Sequence, residues 1–137
     1  MPVSLTKELR TPAEVAGAVL DAIAADPESF RMETWVDLSG ASSLAPNGDV
    51  CGTTMCAAGW AAHVTGWTLH VAWEPQEVTD RYGEDVGIAS EWAEKDGVRR
   101  KIDDVAEEVL GLGDDETFWL MSEQNAIERL REIAGRA

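Results

Sequence analysis

Residues 67–97 read WTLHVAWEPQEVTDRYGEDVGIASEWAEKDG, and the fold class turns on whether this stretch is helix or strand. At its start Leu69, Val71 and Trp73 alternate with Thr68, His70 and Ala72, the period-two pattern of a strand. A strand needs a partner, and no second run in the chain offers a convincing one. Residues 74–86 are polar and turn-rich, and Ile88–Lys95 around Trp92 suits a short helix closed by Asp96-Gly97. The stretch is therefore expected as a variable insert. It would hold an extended connector or one arm of a small hairpin near 67–73, then a loop with a helical turn.

Working outward, the rest of the chain reads as helix. Thr11-Pro12-Ala13-Glu14 is a capping box with proline at the first helical position, and Val15, Val19, Ala22 and Ile23 form a stripe. A helix from 12 to about 25 follows, ended by Asp26-Pro27. Phe30, Met32 and Trp35 then cover one end of the core. Pro46-Asn47-Gly48 marks a β-turn. From Thr53 or Thr54 to Gly66 the residues carry no fixed charge and are small or apolar nearly all round, the pattern of a buried central helix. Gly59 in its middle costs about 1 kcal/mol against alanine, which points to close approach of another helix there. Val98, Ile102, Val105, Ala106, Val109 and Leu110 mark a helix over about 98–110, stopped by Gly111. Asp114 can cap a short helix through Phe118–Met121, and Ser122 a last one through Ile127, Leu130 and Ile133. The sum is an all-α protein, an orthogonal bundle of about five helices, in a single domain spanning 1–137 with residues 1–10 flexible.

Charge is the unusual bulk property. Twenty-six acids against eleven bases give a net charge of −15, and residues 74–137 hold eighteen of the acids and eight of the bases. Such a field repels nucleic acid backbones and anionic membranes. It suits a basic protein partner or a surface that imitates DNA, although plain solubility is the simpler reading. The N-terminus, MPVSLTKELRTP, has no apolar core of a signal peptide, and no run is long enough to span a bilayer, so a cytoplasmic location is expected.

Three elements carry a resemblance: Phe30-x-Met32-x-x-Trp35, then Cys51-Gly-Thr-x-x-Cys56-x-Ala58-Gly59-Trp60-Ala61, then Val109-Leu-Gly-Leu112 after an acidic helix. Together they resemble a group of small uncharacterised proteins of actinobacterial bacteriophages and some bacterial genomes. The likeness covers 11–66 well and 98–134 loosely, and leaves 68–96 unmatched. It implies a phage or prophage origin, and it implies no mechanism.

The two cysteines raise three chemistries. Cys51, Cys56, His63 and His70 are the candidate metal ligands. However, Cys56 and His63 lie two helical turns apart, about 10 Å along a helix axis, and zinc needs its ligands within about 2.3 Å of one point. A reactive thiol at Cys56 would use the helix N-terminus and want His63 as base, and the same gap separates them. A Cys51–Cys56 disulfide is attainable across the loop-to-helix junction, but a cytosolic setting favours two free, mostly buried thiols. Asp103, Asp104, Glu107 and Glu108 could hold a divalent cation, against the plainer reading of a solvated helix face. No phosphate loop or hydrolase motif is present.

Six tryptophans are many for this length. Trp60 and Trp119 have core neighbours. Trp67, Trp73 and Trp92 lie near turns, where exposure would make them interface anchors, the alternative for each being core. The expectation is a non-enzymatic acidic protein without cofactor that binds, and inhibits or redirects, a host protein through its acidic surface and exposed tryptophans. A small thiol- or metal-dependent protein using Cys51 and Cys56 is the alternative from a different class. A structural or virion-associated protein is the third.

Overall fold

The computed structural model describes residues 11–38, 41–48, 53–80, 83–112 and 121–136. These residues form four α-helices, α1 (Pro12–Ala25), α2 (Ala57–Val64), α3 (Ile102–Leu110) and α4 (Glu123–Ala134). Six strands accompany them: β1 (Val36–Asp37), β2 (Ser43–Leu44), β3 (Thr54–Met55), β4 (Thr68–Thr79), β5 (Asp85–Lys95) and β6 (Val98–Arg100). The protein is therefore α+β, and the expected all-α bundle is wrong. Among the described residues no helix is long and apolar enough to cross a membrane.

The capped helices form as their sequences dictate. Thr11 Oγ1 accepts from the Glu14 amide at 3.1 Å, and the Glu14 carboxylate accepts from the Thr11 amide at 3.1 Å, closing the capping box. Val15, Val19 and Ile23 of α1 are buried with Leu130 of α4 and with Val105 and Leu110 of α3 in one core. Gly111 at φ 69 ends α3 in the left-handed conformation a glycine tolerates, its amide donating to the Glu107 and Glu108 carbonyls. Ser122 caps α4 by accepting from the Asn125 amide at 3.3 Å. The short helix expected over 114–121 and the flexible segment 1–10 lie outside the described residues, apart from Met121.

α2 is shorter than expected and starts later. Thr54 and Met55 are strand, paired with Asp37 and Val36, and Cys56 is the N-cap. The cause is the segment 30–37, which wraps around Met55: Phe30 bridges to it, and the Cys56 amide donates to the Thr34 carbonyl at 2.9 Å. The same wrap explains Gly59. A Cβ there would collide with the Trp35 carbonyl oxygen, so the close neighbour is this extended segment and not another helix.

The larger correction concerns 85–100. Ile88–Lys95 is not a helix but part of β5, and 98–100 is strand β6, so α3 begins only at Ile102. Val86, Ile88 and Trp92 sit at even positions of a strand, and Asp96-Gly97, with φ of 53 and 81, makes the two-residue turn joining Lys95 to Val98. Alanine, glutamate and lysine favour helix locally, but pairing with β4 decides the outcome. The main sheet has the order β2-β4-β5-β6, and it curls until Thr79 near the end of β4 pairs in parallel with Arg100 of β6. Leu44, Leu69 and Ala93 give the sheet's share of the main core. Val78 and Trp92 are buried as well, yet outside that core.

Candidate functional site

The β4–β5 hairpin changes register in its middle. Val71 pairs with Glu91 and the next pair is Gln76 with Ala89, so Ala72–Pro75 on β4 face Ser90 alone on β5. Surplus residues on one strand bend it and raise its twist. Pro75, which has no amide to give to a ladder, fits such a place. Trp73 stands on the crest of this bulge and is 98% exposed.

The bend makes a hollow of about 640 Å³ whose walls include Trp73, Gln76, His70, Trp92, Glu94 and Arg99. His70 stacks on Trp92, centroids 5.1 Å apart and planes within 10°. Its Nε2 lies 3.0 Å from the Glu94 carboxylate. Trp92 itself is only 5% exposed, and its indole N–H is buried without an acceptor. Between Thr68 and Lys95 the sequence carries seven acids against two bases, so the hairpin shares the negative field of the whole chain.

The three candidate tryptophans thus part company. Trp73 offers its ring to solvent and Trp92 is enclosed. Trp67 is half-buried, with Arg100 at 5.6 Å and Lys95 at 6.0 Å from its ring centroid. Arg100 is held in turn by Glu108 at 2.7 Å. Trp67 is therefore already engaged by two cations of its own chain. Sequence reasoning missed Val86 and Ile88, which are 46% and 69% exposed on β5. Their even spacing with Trp92 was the available signal.

The cysteine and histidine candidates do not converge. Cys56 is a free buried thiol whose Sγ faces the Trp35 carbonyl at 3.9 Å. Burial pushes its pKa up to about 11, outweighing the Gly59 and Ala58 amides that favour the thiolate. His63 is buried on α2, edge-on to Trp60 at 5.7 Å, with Nδ1 unpartnered and its pKa lowered by burial. His70 lies on β4 with Glu94. Cys51 lies outside the described residues. Among the described residues the grouping with ligand spacing is Asp103, Asp104 and Glu107, within 4.8 Å of one another. Asp104 and Glu107 each have an interaction partner already, Glu107 is buried, and Glu108 is turned to Arg100.

No family model, no curated protein and no solved structure matches the chain.

Proposed function

We propose that this protein works by binding another protein, with the β4–β5 hairpin as its contact surface and no catalytic step or cofactor of its own. The single observation that carries this reading is Trp73, 98% exposed on a bulge that presents it beside a hollow. Leaving a tryptophan in water sacrifices the large gain of burying it, and tryptophan is the residue type most enriched among binding hot spots. The net charge of −15 selects the partner's sign: a basic surface is attracted from a distance, and nucleic acid or anionic lipid is repelled. The resemblance to phage-encoded proteins makes a host protein in the cytoplasm the natural partner. Occupying a DNA-binding surface there is the form in which the acidity would count most. The thiol reading is disfavoured by the burial of Cys56, since the thiolate is the reactive form.

The test is capture from an actinobacterial lysate at low and high salt, with wild type and Trp73→Ala side by side. A specific partner is expected at low salt, weakened by high salt and reduced about tenfold or more by Trp73→Ala. Equal recovery with both proteins, or no partner at low salt, would overturn the reading.

A further inference from the structure

The two halves of β5 have different surroundings. At Ala93 and Glu94 the strand is paired on both sides, with β4 on one and β6 on the other, and Lys95 pairs with Val98 of β6. From Gly87 to Ala89 it pairs with Gln76–Val78 of β4, and among the described residues no further backbone bond involves Val86–Ser90. Among the described residues, the outer edge of this half is open.

Open edges are templates for another strand, and proteins usually blunt them with lysine, proline or a covering element. Val86-Gly-Ile-Ala-Ser90 has no lysine, no proline and no charge, and Ile88 is 69% exposed. A register slip at Val86, with Gly87 at φ 124, interrupts the regular ladder at its outer end. Ile88–Glu91 remains as the segment with strand geometry. Beside it lies a second hollow, of about 310 Å³, walled by Ala89, Ser90 and Glu91 on the strand and by Trp35, Lys101 and Asp103 across from it. A strand laid along this edge therefore has both a backbone to pair with and a recess for one of its side chains.

We infer that the Ile88–Glu91 edge accepts an extended segment of a basic partner protein as an added β-strand, its apolar side chains beside Ile88. This rests on the reading of the hairpin as a protein-contact surface and names how that contact is made. The occupant's charge follows from Glu84 and Asp85 at the outer end and from the net charge of −15. The nearer carboxylates are engaged: Glu91 already accepts from the Val36 amide, Glu94 is held by His70, and Lys101 and Asp103 of the recess offset each other. A second copy of this chain is the wrong occupant, because it would set two equally acidic hairpins against each other.

The probe is a short peptide of alternating lysine and valine, added to the full chain and followed by amide NMR shifts. Binding is expected to move and protect the amides of Gly87–Ser90. N-methylation of the peptide along both edges, which keeps every side chain and charge, should weaken it about tenfold or more, because strand addition runs on main-chain bonds. Ile88→Lys, at an exposed position, should weaken it similarly with an unchanged circular dichroism spectrum. No binding at millimolar peptide overturns the inference, as does binding indifferent to both N-methylation and Ile88→Lys. Indifference to N-methylation together with loss in Trp73→Ala sinks strand addition and leaves the hairpin reading standing. Indifference to all three sinks both. A dimer of the chain alone that Ile88→Lys disperses would overturn the choice of a basic partner.

Discussion

Trp60 and Trp73 are the same side chain put to opposite uses. Trp60 sits on α2, where every residue from Ala57 to His63 is buried, and it is 3% exposed. Trp73 sits on a β-bulge and is 98% exposed. A helix with no charged face can only be swallowed by its neighbours, so its tryptophan becomes filling. A hairpin has two faces and a bend, so it can enclose Trp92 while holding Trp73 out. The helical layer is built for density and the hairpin for display, and substitutions should separate the two.

The largest effect is expected in the helical layer. Leu130→Ala empties a fully buried site between α4 and α1, and should cost about 4 kcal/mol in urea unfolding, near the upper part of the range for such truncations. Trp92→Ala should cost about 3 kcal/mol. Unlike Leu130→Ala, its loss should centre on the hairpin, read as faster amide exchange in β4 and β5 than in α1 and α4. Uniform exchange in both variants would erase the distinction between the regions.

Titration sharpens the same contrast, because the buried thiol and imidazole both belong to α2. Cys56 has its pKa raised to about 11, from 9.0 for an unburied thiol. Its contribution is complete below pH 9 and is lost as pH rises through 11, roughly 3 kcal/mol in all. Cys56→Ala should remove that alkaline slope. At neutral pH the native thiol should resist alkylation until the chain unfolds.

His63 has the opposite sense in pH. Burial lowers its pKa from 6.5, so the unfolded chain takes up the proton first and stability falls as pH drops below that value. Glu91, raised by burial, contributes in the other direction at lower pH. The His63 slope is therefore best read between about pH 7 and pH 5.5, where His63→Gln should flatten it.

The smallest expected effect on stability is Trp73→Ala, within about 0.5 kcal/mol of wild type, because the ring touches solvent on nearly every side. A drop of 2 kcal/mol or more would make Trp73 a structural residue and remove the basis of the binding proposal.

What the sequence disclosed divides along the same line. Thr11–Glu14, Ser122 and Gly111 are local signals acting on adjacent residues, and the helix ends they mark are where they should be. The turn at Pro46-Asn47-Gly48 is closed by the Gly48 amide on the Ala45 carbonyl at 2.9 Å. β5 was hidden because Ala89, Glu91, Ala93, Glu94 and Lys95 are helix formers, and their strand state depends on pairing with the neighbouring strands and not on adjacent residues. The exception is Asp96-Gly97, a local hairpin signal that could have been read as joining two strands instead of ending a helix. For the site, Pro75 beside Trp73 announced a break in regular structure. Nothing local distinguished Trp92, enclosed by the curling of the sheet, from a tryptophan left in water.

The pairing of α1 with α4 sets an order of events during synthesis. Arg136 reaches back to Asp21 at 2.9 Å, and Leu130 shares a core with Val15 and Val19. The helical layer therefore cannot close until residues 123–136 have left the ribosome. The strands β4, β5 and β6, contiguous in the chain, are complete well before. For that interval the nascent chain exposes its unprotected Val86–Ser90 edge and the bare apolar face of α1 together. That interval is when it would be most open to chaperones and to misassembly.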